Sequence, residues 1–364
     1  MKKALIAMSG GVDSSVAAYL THRAGYDCIG AMMRLFDNSL LPQGQESSCC
    51  SLDDAEDARS VAMRIGFPFY VFNSKADFEE KVIQKFIRCY ECGATPNPCI
   101  DCNRYLKFDH LLRKAMELGC DYVVTGHYAR IRRDEETGRY LLYRAADLSK
   151  DQSYVLSCLT QQQLAHTLLP LGEMSKNEAR EIAQEQGFIN ARKRDSQDIC
   201  FVPDGDYVAF MERYTGKHYE PGDFLDQNGR VVGKHRGAVS YTIGQRKGLG
   251  LAMGAPVYVC DKNMERNTVT VGPNEALFCD TLLGCDWNWF PFDQLTEPLR
   301  ISAKARYNQP PQPATVYPET DGTARVVFDE PQRALTPGQA VVLYDGDMVV
   351  GGGTIDQVIK KGEA

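Results

Sequence analysis

The sequence predicts an α/β protein in which a doubly wound parallel sheet is followed by two small all-β domains. Three observations carry that expectation. In the first half of the chain, short apolar runs alternate with helical stretches, the sign of parallel strands joined by crossover helices. Those runs are nearly continuous, as strands covered on both faces require. From about residue 206 helices almost vanish, and short β-runs broken by "DQNGR", "YDGD" and "GGGT" take over. At 364 residues the chain exceeds one ordinary core, and the pattern divides it at 1–205, 206–277 and 278–364.

The first strand is "KKALIAM", and helical spacing of Val16, Ala17 and Leu20 follows from Asp13. "YDCIGAMMRLF" is the second strand. "SLDDAEDARSVAMRIG" is a helix: Ser51 and Asp54 make a capping-box pattern, Ala55, Ala58, Ala62 and Ile65 share a face, and Gly66 stops it. A strand "PFYVFN", helices "DFEEKVIQKFIRCYECG" and "RYLKFDHLLRKAMELG", and a strand "DYVVTGH" come next. "ARIRRDEETGRYLLYRA" is a hairpin turning at "EETG". "SKNEAREIAQEQG" is a helix opened by Ser175 and Glu178 and closed by Gly187.

The chain is 43% hydrophobic and 24% charged, as a globular protein is. It has no run of about eighteen apolar residues, so no membrane span is predicted. The apolar stretch of "MKKALIAMSGG" is too short for a signal peptide and ends in a glycine turn. Thirteen cysteines, an odd number, fit a reducing cytosol better than a disulfide framework. A net charge of −7 argues against a broad nucleic-acid surface and leaves local patches such as "AKARY", "GKHR" and "GQRKG".

The turn "AMSGGVDSS", Ala7 to Ser15, joins the first strand to the first helix. Two glycines let successive N–H groups point into one concavity, the helix N-terminus adds partial positive charge, and Ser9, Ser14 and Ser15 offer hydroxyls. This makes an anion cradle. It lacks the G-x-x-x-x-G-K-[ST] pattern of a Walker loop, and no lysine is positioned to hold a β or γ phosphate.

"SGGVDSS" after an N-terminal strand resembles the PP-loop of the ATP pyrophosphatases, which cleave ATP between its α and β phosphates and adenylate an oxygen of their substrate. "ATPNPCIDCNRYLKF", "TGHYAR", "RDSQDICFV" and "YTIGQRKGLG" extend the match, in order, along nearly the whole chain. With them the sequence resembles the tRNA-specific 2-thiouridylase family. The resemblance implies a sheet domain of the PP-loop, adenine nucleotide alpha hydrolase type, then a small central β domain and a C-terminal β-barrel. It implies a cytoplasmic, AMP-forming sulfurtransferase that replaces the C2 oxygen of the wobble uridine in the tRNA anticodon loop by sulfur. ATP with Mg2+ and a sulfur-donor protein, such as a cysteine desulfurase or its relay carrier, are implied with it, and no membrane.

The resemblance carries two catalytic cysteines onto this chain: Cys102, in the "NPCIDCN" loop, and Cys200, in "SQDICF". It implies that Cys200 would receive sulfane sulfur as a persulfide that attacks the adenylated C2, and that Cys102 would release it by disulfide formation with Cys200, or assist the attack. Chemistry agrees, because a thiol at its ordinary pKa of about 8.5 is only a few per cent thiolate at neutral pH. Lowering that by about one and a half units takes on the order of 2 kcal/mol of positive environment. Arg192, Lys193 and Arg194 near Cys200, and Arg104 and Lys107 near Cys102, are candidate sources; equally they are solvated charges or phosphate contacts.

Cys89, Cys92, Cys99 and Cys102 also spell two C-x-x-C pairs, a zinc pattern with a spacer shorter than the usual ribbon. Cys89 shares helical register with Val82 and Phe86, which suits a core position, and the family pattern requires cysteine at neither 89 nor 92. Cys99 stands where some family members carry Asp beside the target base. It opens a second arrangement, an iron–sulfur cluster on Cys99, Cys102 and Cys200 with one iron left open for sulfur.

The ATP site implied by the resemblance is Ala7, Met8, Ser9, Gly10, Gly11, Val12, Asp13 and Ser14, with Met33 and Gly126. The implied tRNA contacts are Asn97, Pro98 and Cys99 at the target base, His127, Lys150, Asp151, Gln152, Arg306, Tyr307 and Gln339. The reacting base must turn outward into the pocket. Stacking and edge hydrogen bonds read such bases, and His127 and Tyr307 are the right types. Two other readings are a PP-loop enzyme with a different acceptor, as in amidating or argininosuccinate-forming relatives, and a zinc-containing nucleic-acid-binding protein without catalysis.

Overall fold

The first strand divides its side chains between two cores. In the structure, a computed structural model that describes residues 1–36, 51–193 and 199–360, β1 (Lys3–Ala7) sends Ala4 and Ile6 to one side and Leu5 and Ala7 to the other. That alternation is what a strand covered on both faces needs. Arg194, one of the predicted cations, lies outside the described residues, as do positions 195–198 of the "RDSQDICFV" string and 361–364 of the last predicted domain.

The chain forms two compact units. The first comprises Met1–Gln84, Pro98–Asp206 and Asp347–Val350; the second comprises Lys85–Asn97, Tyr207–Gly346 and Gly351–Ala364. In the first, β2 (Asp27–Arg34), β3 (Phe69–Asn73), β4 (Tyr122–Val124) and, beyond the predicted hairpin β5 (Arg130–Arg133) and β6 (Tyr140–Tyr143), β7 (Thr167–Leu168) build the sheet. Its order is β3-β2-β1-β4-β7, all parallel. Met348 and Val349 pair with Tyr143 and Leu142 along β6.

Helices α1 (Val12–Arg23) and α2 (Leu52–Ile65) cover one face of the sheet, with Val16, Ala17, Ala58, Val61 and Ala62 in its core. The predicted capping box of α2 is formed: Asp54 N donates to Ser51 Oγ at 3.1 Å and Ser51 N to Asp54 Oδ2 at 3.0 Å. Gly66 ends the helix at φ +105°, a left-handed conformation that favours glycine. Helix α3 starts as Lys75–Phe78 and widens to π geometry over Glu79–Ile83; the helical run goes on as Gln84–Glu91.

Helix α4 corrects an expectation. The "NPCIDCN" stretch is helical rather than a loop: Pro98–Asp101 is one turn, Cys102–His110 is π-wound and Leu111–Glu117 completes the helix. Proline at the first helical position has no N–H to lose, so Pro98 starts this helix instead of breaking it. Leu111, Leu112 and Ala115 cover the second face of the sheet. Helix α5 (Lys176–Glu185) returns to the first face with Ala179 and Ala183, capped by Ser175 and Glu178 as predicted. Helices on both faces make the sheet doubly wound.

In the second unit an unforeseen helix, α6 (Tyr207–Thr215), stands where helices were expected to fade. Tyr207 stacks on Tyr90 at 4.2 Å and Phe210 meets Phe86 edge-on at 6.4 Å. A four-stranded sheet follows, of β8 (Gly222–Leu225), β9 (Val231–His235), β10 (Tyr258–Asn263) and β11 (Thr268–Gly272), over a core of Phe224, Tyr241, Val259, Val269 and Val271. Last come β12 (Phe278–Trp289), β13 (Leu299–Lys304), β14 (Gln312–Pro318), β15 (Ala324–Arg333), β16 (Ala340–Asp345) and β17 (Met348–Ile359). They run in the order β12-β15-β14-β13-β16-β17, and β17 pairs back onto β12, closing a barrel without edges. Among the described residues no helix is long and apolar enough to cross a membrane.

Candidate active site

The predicted nucleotide residues meet at the carboxyl ends of three neighbouring strands. Ala7 ends β1, Met33 lies near the end of β2, and Gly126 follows β4. β2 and β4 flank β1 on opposite sides, so the turn after β1 opens at the switch point where such sheets bind ligands. Met33 packs partly buried against the second core.

The turn itself is held by its own polar groups. Met8 N donates to Ala31 O at 2.8 Å, Ser9 N to Ser14 Oγ at 3.2 Å, and Ser14 Oγ to Gly11 O at 3.0 Å. Gly10 sits at φ +72°, and a Cβ on it would stand 2.4 Å from the Asp54 carbonyl oxygen. Gly11 precedes the first turn of α1, whose leading N–H groups have no intrahelical partner and carry the positive end of the helix dipole. The arrangement suits a phosphate.

Gly126 presses on that same turn: a Cβ there would lie 2.7 Å from Asp13 C and Ser14 N. Gly126→Ala is therefore expected to displace the cradle, with overpacking worth about 1–3 kcal/mol. An ATP titration should show affinity down by roughly tenfold or more; unchanged affinity would contradict the placement of the cradle.

A lysine from far along the chain reaches the turn, where it holds a carboxylate. Lys176 Nζ lies 2.7 Å from Asp13 Oδ1 and 2.8 Å from Oδ2, and Tyr128 OH donates to Asp13 Oδ1 at 2.8 Å. The Lys176 side chain is 9% exposed and that of Asp13 31%. Lys176 sits just inside the N-terminus of α5, 163 positions after its partner, so no local pattern in the chain links them. Tyr128 is clamped in turn, because its N–H donates to Gln152 Oε1 and its carbonyl accepts from Gln152 N, both at 2.9 Å. Gln152, expected at the tRNA, thus holds the residue that holds Asp13.

Its neighbours are placed differently. The Asp151 carboxylate is buried and accepts from Ala145 N at 3.0 Å, Ser153 N at 3.2 Å and Ser153 Oγ at 2.9 Å, so it braces its own loop. Lys150 is half-buried on the same loop, its N–H on Asp147 O at 3.0 Å. His127 is buried, not presented for stacking: its Nδ1 is 2.8 Å from Thr125 Oγ1 and its ring lies 5.9 Å from that of Phe108. Burial, helped by the charge of Lys107, pushes its pKa well below the usual imidazole range, so it is neutral at pH 7.

The three thiols differ in exposure. Cys102 is buried, Cys200 half-buried and Cys99 exposed. Cys99 and Cys102 are three positions apart on α4, which places them on one side of it. Phe201, next to Cys200, meets Phe78 of α3 edge-on at 5.7 Å, and Phe36 past the end of β2 stacks on Phe78 at 5.8 Å. Asp77, beside Phe78, pairs with His110 of α4 at 2.9 Å. One turn of α3 therefore touches the neighbour of Cys200, the helix bearing Cys102 and the end of β2.

Lys193, one of the candidate cations for Cys200, is paired with two carboxylates. Its Nζ lies 2.7 Å from both Asp54 Oδ1 and Asp57 Oδ2. Partial burial works against its charge, but the two carboxylates hold the ammonium above its usual range. Arg104 lies with its guanidinium 5.9 Å from the neighbouring Tyr105 ring, and Arg192 is exposed. Among the described residues no three His, Cys, Asp or Glu side chains gather to hold a metal ion. Cys99, Cys102 and Cys200 are thus not arranged as a three-thiolate cluster site, nor do the two C-x-x-C pairs form a zinc site.

In the second unit Gln339 and Arg306 take up backbone groups. Gln339 Nε2 donates to Thr95 O at 2.8 Å and Pro96 O at 3.3 Å, and Thr95 N donates to Pro337 O at 2.8 Å, which fixes the stretch ending at Asn97. Arg306 Nη2 donates to Ala334 O at 2.6 Å, Thr336 Oγ1 at 2.9 Å and Ile243 O at 3.3 Å. Ile243 belongs to "YTIGQRKGLG", whose Gly244 carbonyl also accepts from Arg333 at 3.5 Å, so that string wraps two arginines. Tyr307 is 41% exposed, with Lys304 Nζ 5.3 Å from its ring centre.

The chain is similar to known proteins over its whole length. The family described as "tRNA methyl transferase HUP domain" matches residues 2–204, "tRNA methyl transferase PRC-barrel domain" residues 208–273 and "Aminomethyltransferase beta-barrel domain" residues 279–355. The tRNA-specific 2-thiouridylase MnmA of Clostridioides difficile is 53% identical, over 98% of this chain and 98% of its own. That of Clostridium acetobutylicum is 52% identical over 97% and 99%, and that of Carboxydothermus hydrogenoformans 51% over 98% of each. On that evidence this chain belongs to the MnmA family, the tRNA-specific 2-thiouridylases.

Proposed function

We propose that this protein adenylates the C2 oxygen of a tRNA wobble uridine and then replaces it with sulfur carried on Cys200. ATP lies across the carboxyl edge of the sheet with its phosphates on the Ser9–Ser14 turn. The C2 oxygen attacks the α-phosphorus and pyrophosphate leaves, which turns a poor leaving group into AMP. A persulfide on Cys200, loaded by a sulfur-donor protein, attacks C2. The Cys102 thiolate then takes the Cys200 sulfur as a disulfide, AMP departs, and sulfur stays on the base. The sulfane sulfur gains two electrons from the two thiols, so a thiol reductant must reopen the disulfide before the next turnover.

The observation that carries this reading is the pairing of Asp13 with Lys176 and Tyr128 on a glycine turn at the switch point, in the unit that also holds both thiols. Mg2+ comes with the substrate, on the phosphates of ATP. Both Asp13 oxygens accept from Lys176. An iron–sulfur route finds no three-thiol set among the described residues. Two matching family descriptions name methyl transfer, but a glycine turn suited to phosphate and two thiols in the same unit fit thiolation and the relatives' names.

The three family matches support domains over 1–205, 206–277 and 278–364, and the cysteine-rich composition suits a cytosolic setting. Target-base contacts belong to Asn97, Pro98 and Cys99 in this reading, with Lys150, Gln152, Arg306, Tyr307 and Gln339 placing the tRNA directly or through the segments they brace. Incubation with ATP, a persulfide-loaded donor and unmodified tRNA is expected to yield AMP and 2-thiouridine in equal amounts. AMP without thiouridine, whatever the donor, would count against it.

A further inference from the structure

A buried amide behind the ATP turn has no part in the steps above. Asn190 is 3% exposed, and its Nδ2 donates to Gly10 O and to Ser15 Oγ, both at 2.9 Å. Gly10 O can only accept, so its partner must be the NH2 end of the amide. The Asn190 Oδ1 atom has no partner among the described residues. A residue kept only for packing would be apolar at such a place.

Asn190 is held there by its neighbours on the chain. Phe188 meets Tyr19 of α1 edge-on at 6.3 Å, Lys193 N donates to Asn190 O at 2.9 Å, and Lys193 is clamped to α2 through Asp54 and Asp57. Residues 188–193 therefore form a strap across α1 and the start of α2, with the amide driven into the turn between them.

We propose that Asn190 is a positioning residue for ATP: it sets the orientation of the Gly10–Gly11 peptide. In a trans peptide the C=O and the following N–H point opposite ways. With Gly10 O drawn back onto the Asn190 amide, Gly11 N–H faces forward into the cradle. Because Gly10 occupies the left-handed region, where glycine has wide freedom, that plane would otherwise flip easily. A flipped plane aims a carbonyl oxygen at the phosphates. The strap thus converts a flexible glycine pair into a fixed anion site. This inference rests on the ATP-binding reading.

ATP titration of the full chain, with wild type measured at every pH, tests it. Asn190→Ala should weaken ATP binding about tenfold, and raise KM with kcat at saturating ATP little changed. Asn190→Asp keeps the volume but faces Gly10 O with a carboxylate, so near pH 8 it should bind ATP more weakly still. As pH falls to about 5.5 the introduced carboxyl, its pKa raised by burial, gains an O–H that donates to Gly10 O, and affinity relative to wild type should recover. A merely structural role would not reverse with pH. Equal ATP affinity of Asn190→Ala and wild type overturns the proposal, as does an Asn190→Asp deficit that is flat in pH. Should those variants fail to fold, Ser15→Ala removes one of the two acceptors and should weaken ATP about threefold; no change overturns the proposal. Wild-type protein that binds no ATP would instead sink the functional reading itself.

Discussion

Cys200→Ala is expected to abolish thiouridine formation, by at least about 10³-fold, while pyrophosphate release on tRNA continues for a single turnover. The loss is large because the reaction needs an atom that alanine cannot carry: without the thiol no sulfane sulfur is loaded. Cys102→Ala should differ in kind. Sulfur still loads on Cys200, so the persulfide can be trapped by alkylation and counted, but it is not released and turnover stops. Single-turnover assays with labelled donor sulfur distinguish the two blocks. Thiouridine made by Cys200→Ala at a rate near wild type would defeat the relay. The helical placement of Cys102 sharpens this expectation, since a buried thiol on a helix is better fixed for attack on one sulfur than a loop thiol would be.

Lys176→Met is expected to lower ATP-dependent pyrophosphate release by about 10²-fold or more. Methionine nearly preserves the length of the side chain and removes the ammonium that sits 2.7 Å from Asp13. Two consequences follow at once. A cation beside the phosphate cradle is lost, and among the described residues the Asp13 carboxylate keeps the Tyr128 hydroxyl. Breaking a fully buried pair costs about 3–5 kcal/mol. Asp13 is 31% exposed, so solvent screening brings the stability loss down to about 1–2 kcal/mol. Urea unfolding measures that part, and pyrophosphate release measures the rest. Asp13→Asn added to Lys176→Met should cost little more than either alone, because partners in one ion pair do not act additively. A Lys176→Met protein with wild-type release would show that the lysine is only a structural counter-ion.

The sheet was legible in the chain because its evidence is local. Continuous apolar runs mark buried parallel strands, and capping boxes at Ser51 and Ser175 mark helix starts; both boxes form. The same box forms at Thr160 and Gln163, in a T-x-x-Q pattern that opens a short helix. The glycine turn was legible too, since a left-handed backbone and a close approach demand Gly10. What could not be read is the pairing of distant polar groups. Lys176 looks like any solvated charge at a helix start, and Asn190 like any loop amide. Only the fold reveals that Lys176 meets Asp13 and that Asn190 meets Gly10. Cys102 was misplaced for another reason: prolines at 96 and 98 argue for a loop unless one of them occupies the first helical position.

The way the chain is shared between the two compact units limits how the molecule can be taken apart. Residues 85–97 fold with the unit that contains the barrel, and Asp347–Val350 fold with the nucleotide sheet. A cut after residue 205 therefore strips the amino-terminal fragment of the strand that borders β6, and the carboxyl-terminal fragment of the segment that Gln339 and Pro337 bind. Each fragment would lack a segment that its own unit includes. Dissection by truncation would report on damaged halves, and a gene encoding this protein cannot readily be split or have one half exchanged for a foreign counterpart.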